Sequence, residues 1–397
     1  MTELPDDARH RRPAPRPALG GIGLDTTGAQ PALRRHITPL DPAGTLPDWW
    51  EPLYEAACNR SIFLCGAWLQ SWLEIYGSEF EGQWISWEKD GAIVAGCLCV
   101  TRRVHKNIFT FRTLYLNATG EATARTPLAE FNDILHLRDV ACDLEREIIE
   151  DFAQLLLFSS WSRLMASGYQ DDSLIARLMS SIPHAAIDYN VKPAPYVSLA
   201  NCPESQFETH LSANTRYQVR RARRLYESRF GPLTITAVSD SHDVLRCLDE
   251  MAVLQKARWK KRGEPCSLGQ PCVLEFHRRL IGRLASKGAM EMLVIRSGHH
   301  IIGYLYNYID RGKVYYFQCG FDYEDDSKLK PGLLAHVLAI EHYKAHGLKE
   351  YDFLAGDAQY KRSFCEERRN INWTVLYRQR RTVRLFLWLR QLKQRVQ

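Results

Sequence analysis

No run of eighteen apolar residues occurs in this 397-residue chain, so no helix that spans a bilayer is expected. The motifs that announce several common chemistries are missing as well. There is no Walker loop, no dinucleotide fingerprint, no nucleophile elbow and no HExxH pair, which leaves nucleotidase, dehydrogenase, serine hydrolase and zincin readings without a sequence basis. Eleven cysteines are present, but none forms a CxxC pair or the Cys/His spacing of a zinc module, and no metal is expected. Without a secretory signal, reduced thiols and a cytoplasmic location are the expectation. The leader is basic (RHRRPAPRPALGG) but lacks the apolar stretch of a signal peptide. It reads as disordered over residues 1–45.

Acidic residues are missing from one region only. Arg368 to Gln397 hold nine Arg or Lys and no Asp or Glu, and the remainder carries 43 basic against 46 acidic residues. The net charge of +6 is therefore a property of the C-terminal stretch, and the body gives no electrostatic case for nucleic-acid binding. Disorder of the whole chain is excluded by 10 Trp, 15 Phe and 18 Tyr, which supply ample core.

Periodicity divides the body into two similar halves. Helices are expected at Asp48–Asn59, after Phe63 (Phe63, Trp68, Trp72 and Ile75 recur at helical spacing) and at Leu144–Ser159. Strands are expected at Gln83–Glu88, Ala92–Arg103, Thr110–Leu116 and Arg163–Ser167. The second half repeats the order. Helices are expected at Val244–Arg262 and Cys272–Lys287, strands at Met290–Arg296, Ile301–Ile309 and Lys313–Cys319, and a Pro-initiated helix at Pro331–His346. Strands at Glu350–Leu354 and Thr374–Arg378 complete it. A local echo links the halves: Lys89-Asp90-Gly91 before Ile93 and Gly96 resembles Ser297-Gly298 before Ile301 and Gly303. The expected domains are 46–200 and 201–380, joined near Pro193–Pro203, with a tail at 381–397.

Three segments have the residue types for chemistry. Asn214–Leu225 places five Arg within nine residues, with Arg216, Arg220 and Arg223 along one helical stripe and Val219, Ala222 and Tyr226 on the next. Guanidinium groups in a row suit phosphate or carboxylate oxygens. Lys328 to Leu334 joins a polar loop to a Pro-Gly helix start, where free backbone N–H groups attract phosphate. Tyr351 to Phe364 runs from an apolar strand into a loop with Asp352, Asp357, Tyr360 and Lys361. There a carboxylate can accept a proton from an amine, and a Tyr or Lys can serve a leaving group or an oxyanion. Each segment also has a plain reading as solvated face, helix start or cap.

Taken together, these segments resemble the GNAT-superfamily acyltransferases grouped with the cellulose-biosynthesis protein CelD, and through them the Fem-type peptidoglycan aminoacyltransferases. The order is a Ser-x-Asn-x-Arg-x3-Arg-Arg helix, the Trp259 helix, three strands, Gly320-Phe321-Asp322, the Pro331-Gly332 helix, then Tyr351-Asp352-Phe353-Leu354 and Tyr360-Lys361. The likeness spans Phe63 to Tyr377. It is carried faintly in the first half by Trp68, Trp72, Tyr76-Gly77 and Phe131-Asn132-Asp133.

The resemblance implies an α/β fold of two GNAT-like domains in tandem, each a mixed sheet flanked by helices. It implies acyl transfer, with acyl-CoA as co-substrate, to an amine or hydroxyl of a sugar, glycolipid or other glycan- or lipid-linked envelope precursor. The donor pyrophosphate is expected on Lys330, Gly332, Leu333 and Leu334. Only Gly332 keeps the glycine pattern usual for that loop, so acyl-carrier protein or aminoacyl-tRNA stand beside acyl-CoA. The implied catalytic residues are Asp352, Tyr360 and Lys361, and the implied substrate-binding residues are Asn214, Arg216, Arg220 and Trp259. Two other readings remain open: aminoacyl-tRNA-dependent transfer, and a non-catalytic scaffold of a polysaccharide-synthesis complex. In the tail, Leu385, Trp388, Leu389 and Leu392 share one helical side among Arg and Lys. That pattern fits peripheral contact with the inner membrane face or packing on the tail's own domain.

Overall fold

In a computed structural model the described residues are 33–41, 44–137, 142–200, 207–365 and 367–396. They form two compact units. The N-terminal unit holds the residues up to Glu121, Ala129–Val191 and those from Ile371 onward. The C-terminal unit holds Ala122–Leu128 and Lys192–Asn370.

In chain order the first half contains β1 (Arg34–Pro39), α1 (Trp50–Ala56), α2 (Gly66–Tyr76), β2 (Glu81–Lys89), β3 (Ala92–Lys106) and β4 (Phe109–Leu116). Then come β5 (Leu135–His136), α3 (Cys142–Phe158), β6 (Arg163–Gln170), α4 (Leu174–Ser181) and β7 (Ala186–Ser198). The second half contains α5 (Ala213–Phe230), β8 (Leu233–Val238), α6 (Ser241–Arg262), α7 (Pro271–Leu284), β9 (Met290–Ser297), β10 (His300–Asp310) and β11 (Lys313–Phe321). It ends with α8 (Pro331–Ala345), β12 (Glu350–Asp352), α9 (Gln359–Arg362), β13 (Arg368–Tyr377) and α10 (Arg381–Val396).

Both units follow one strand plan. In the N-terminal unit the order is β1-β2-β3-β4-β6-β13, antiparallel except for the β4/β6 pair. In the C-terminal unit it is β8-β9-β10-β11-β12-β7, antiparallel except for the β11/β12 pair. A parallel pair needs a crossover, which α3 supplies in one unit and α8 in the other. The chain passes from the first unit to the second along β7 and returns along β13. The sequence echo falls on equivalent hairpins, β2/β3 and β9/β10, and each carries a β-bulge.

Each sheet buries one face of its crossover helix. In α3, Ile148, Ile149, Phe152 and Leu156 pack with Trp87 and Trp161. In α8, Leu334, Val337, Ile340 and Tyr343 pack with Val219 and Tyr226 of α5. Each such side chain contributes ~1.5–3 kcal/mol on burial. Gly298 sits at φ 53°, and a Cβ there would lie 1.9 Å from the Phe230 carbonyl oxygen, so only glycine lets the hairpin meet the end of α5.

One sequence expectation needs correction. Part of the leader is ordered, because Arg34–Pro39 pairs with β2. The expected junction near Pro193 agrees with the division between Val191 and Lys192, and it lies within β7, where Pro193 and Pro195 accept hydrogen bonds from the Gly356 and Phe353 amides through their carbonyls. Two prolines lack the N–H that marks a strand in sequence. The short elements α4 and β8 were not anticipated at all. The stretches of the leader before residue 33 and of the junction at 201–206 lie outside the described residues.

Candidate active site

Strand β11 is paired with β12 only over Lys313–Tyr315, opposite Glu350–Asp352. Beyond Tyr315 that edge has no ladder partner from β12. On its other side, β11 carries a bulge at Phe317, between the pairs Tyr306/Gln318 and Asn307/Tyr316. A bulge leaves its extra residue outside the ladder and re-aims its neighbours. Along this stretch lies a cavity of about 370 Å³, walled by Tyr316–Phe321, by Gln255, Arg258, Trp259 and Arg262 of α6, and by Thr123, Ala124, Thr126 and Leu128. All of these residues belong to the C-terminal unit. Gly320 permits the close approach of α6, since a Cβ there would lie 2.7 Å from the Met251 carbonyl oxygen.

The α6 wall repeats at i, i+3, i+4 and i+7, one helical face. Gln255 is buried and donates to Gln318 Oε1 (2.9 Å) and the Cys319 carbonyl (2.7 Å), which fixes helix to strand. The Arg258 guanidinium lies 4.1 Å from the Tyr323 ring centroid, and Arg262 lies 5.2 Å from that of Trp259. Arg262 also pairs with Glu264 at 3.1 Å. The lining contains no Asp, Glu or His.

A chain of hydroxyl and thiol groups leads into this wall. Tyr360, at the start of α9, lies beside the Tyr316 hydroxyl. The Tyr316 hydroxyl donates to Cys319 Sγ at 3.0 Å. Burial raises the pKa of both phenols and pushes the Cys319 thiol up to about 11. All three are therefore protonated at neutral pH and are donors, not bases. His336 stacks on Tyr360 with ring centroids 5.4 Å apart, and burial brings its pKa down to about 3.

The other expected site residues are placed differently. Asp352 is fully buried. Its Oδ2 accepts from Arg369 at 2.7 Å and its Oδ1 from the Leu354 amide at 2.7 Å. A carboxylate held by a guanidinium inside the fold is a clasp between β12 and β13, not a proton acceptor for the cavity. The Lys361 ammonium donates to three successive carbonyls, Phe353 (2.8 Å), Leu354 (2.9 Å) and Ala355 (3.1 Å). Its three donors hold the turn in which Leu354 adopts φ 57°. The catalytic roles expected for Asp352 and Lys361 do not fit these surroundings.

On α5, Arg216 donates to the Thr209 carbonyl (3.0 Å) and Arg220 to the buried Glu208 (2.8 Å). Both tie the helix to the turn before it, while Asn214 is exposed in the first turn. Of the four expected substrate contacts, only Trp259 lines the cavity. At the α8 start, Lys330 has φ 44° and caps the helix, and the Leu334 amide is already bonded to the Lys330 carbonyl at 3.1 Å. Leu334 therefore offers no N–H to a ligand. The amides of Gly332 and Leu333, in the first turn after Pro331, have no partner within the helix and remain the residues fit for a phosphate. Sequence reasoning missed Gln255, Arg258, Tyr316 and Cys319. The α6 spacing around Trp259 was the available signal for the first two.

The segment that contains this geometry has a family match. Residues 213–362 match the acetyltransferase (GNAT) domain. Among solved structures the chain is similar to FemX, at 9% identity and a TM-score of 0.53, over 82% of this chain and 94% of that one. It is also similar to L-PGS from Bacillus licheniformis (12% identity, TM-score 0.48, 86% and 94% covered). A tandem GNAT protein from the clavulanic acid biosynthesis pathway is similar at 11% identity and a TM-score of 0.44, with 86% and 98% covered. No curated protein matches the chain. The FemX likeness shows a shared fold.

Proposed function

We propose that this protein is an acyltransferase that moves an acyl group, with acyl-CoA as donor, to an amine or hydroxyl of a sugar, glycolipid or other cell-envelope precursor. The observation that carries the reading is the cavity along the unpaired edge of β11, inside the GNAT domain, where the Tyr360–Tyr316–Cys319 chain ends. The acceptor attacks the acyl carbonyl, a C–N or C–O bond forms, and the C–S bond breaks. The departing thiolate takes a proton from the tyrosine chain, which solvent restores. With no Asp, Glu or His in the wall, an amine acceptor enters as the free base and loses its proton to water. The donor's pyrophosphate suits Gly332 and Leu333.

Mass-spectrometric assay of acetyl-CoA and longer acyl-CoAs against amino sugars and glycolipids tests this. Tyr360→Phe is expected to lower kcat by about ten- to a thousandfold with KM and thermal midpoint little changed. Unchanged turnover removes the tyrosine chain from the mechanism. Activity that needs charged tRNA and disappears on ribonuclease treatment replaces acyl-CoA with aminoacyl-tRNA, and no turnover with any donor favours the scaffold reading.

A further inference from the structure

We infer that the substrate bound in this cavity presents a phosphate or carboxylate to Arg258. The inference rests on the acyl-transfer reading only for the word substrate. The anion site itself stands on geometry. Arg258 is half-buried in a wall whose only charged side chains are Arg258 and Arg262. Arg262 has Glu264 as a partner. Arg258 has no carboxylate partner among the described residues, and its recorded contact is the Tyr323 ring at 4.1 Å. A ring under one guanidinium face leaves the in-plane N–H fork available, and that fork matches the two oxygens of a carboxylate or phosphate. In a site with no acid, burial strengthens the attraction. Trp259 beside it adds a flat apolar surface, so the ligand class is an anion next to a ring or acyl chain.

Cys266 lines the same cavity and gives a local readout without turnover. Its alkylation by iodoacetamide, followed by mass spectrometry of its peptide, is compared with and without inorganic pyrophosphate. Protection of at least about fivefold is expected in the native chain and none in Arg258→Gln, whose thermal midpoint stays the same. Glucosamine 6-phosphate and coenzyme A as separate arms show whether acceptor or donor brings the anion. Absence of protection by all three probes, or equal protection in Arg258→Gln, overturns the inference. Neither result depends on acyl transfer, so the functional reading fails or stands by its own assay.

A second inference comes from α10. Val383 and Phe386 are buried against Phe111, Val375 and Tyr377, and Arg390 makes a two-pronged pair with Asp188 at 2.8 Å. The opposite side exposes Leu385 (50%), Trp388 (55%), Leu389 (37%) and Leu392 (39%). The helix is thus apolar on two faces, one packed and one bare, with exposed Arg380, Arg381 and Arg384 along it. The packed face corresponds to the reading of the tail as a helix on its own domain. The exposed face joins apolar side chains to a stretch with no acid from Arg368 to Gln397, and we propose that it docks on an anionic lipid surface.

Co-sedimentation of the full chain with phosphatidylglycerol vesicles is expected at low salt, with little at high salt or on phosphatidylcholine. The double variant Trp388→Glu, Leu389→Glu leaves the packed face intact and is expected to partition at least about tenfold less. No pelleting of the native chain, or equal pelleting of the variant, overturns the proposal. A dimer in the native chain that the variant loses would assign the face to a second copy and overturn it too.

Discussion

The two units share a strand plan and part company just after the fourth strand. In the C-terminal unit, β11 is followed by a short polar loop and a helix whose first turn has no acid, preceded by Lys328 and Lys330. In the N-terminal unit, β4 is followed by a network of buried polar groups that begins at Asn117. Asn117 donates to Asn132 (2.7 Å) and to the Asp133 carbonyl (2.8 Å), and all three residues are buried. The helix after it opens with Asp143 and Glu145. Amides at a helix start attract phosphate, and two carboxylates placed there take that attraction for themselves. The two units thus differ in the charge of the first helical turn after the fourth strand, which is free of acid in α8 and acidic in α3.

The largest contrast to test is between the two units' ion pairs. Arg369 serves Asp352, fully buried, and Glu350, and it lies 3.7 Å from the Tyr196 ring centroid. Arg369→Leu removes the guanidinium from a fully buried carboxylate, which keeps the Leu354 amide, and is expected to cost ~3–5 kcal/mol. Arg390→Leu strands Asp188, whose side chain is 9% exposed and keeps the Tyr377 hydroxyl at 2.9 Å, so its cost is expected to be smaller. Urea unfolding of both variants checks the order. Equal midpoints would mean that burial of the carboxylate does not set the cost.

This clasp also explains what the sequence revealed and what it concealed. The helices were legible because their apolar spacing is regular: Val219, Ala222 and Tyr226 are buried as the stripe requires. The hairpins were legible from Asp90-Gly91 and Gly298. Strand β7 was hidden by its prolines, and β8 by its length and half-exposed edge position. In the site, Trp259 was named through the family resemblance and Tyr360 through its place after the β12 strand, and both lie at or beside the cavity wall. Asp352 and Lys361 looked equally apt, but their partners are Arg369 and three backbone carbonyls, and neither kind of contact is written in local sequence. Arg258 was overlooked beside Trp259, because a basic residue on a long basic helix carries no signal until the wall opposite it is known.

A middle-sized effect concerns Asp133 in that buried network of the N-terminal unit. Burial raises the Asp133 carboxyl to about 6, although Asn59 and the Ile134 and Ile175 amides all donate to it and oppose the rise. A folded pKa above the unfolded one favours the protonated form in the fold. The resulting stability is complete below the unfolded value near 3.8 and is lost as pH rises through about 6. The advantage of the native chain over Asp133→Asn is expected to grow by up to about 3 kcal/mol as pH falls from 7 to 4. Urea midpoints of both proteins at several pH values measure it. A difference that does not change with pH would show Asp133 to be an ordinary carboxylate.

The smallest expected effect tests the comparison most directly, because it makes the C-terminal unit resemble the N-terminal one. Lys330→Glu puts a carboxylate at the start of α8, as Asp143 and Glu145 stand at the start of α3. Lys330 is exposed, so the fold should tolerate the change. One charge at a helix start contributes about 0.3–1 kcal/mol, and reversing its sign roughly doubles that. A rise of several-fold to about tenfold in the KM for acyl-CoA is therefore expected, with kcat held and the effect weakened by salt. The reciprocal pair, Asp143→Asn with Glu145→Gln, is expected to leave that KM unchanged. A KM that responds to the α3 changes and not to Lys330→Glu would reverse the assignment of which unit receives the donor.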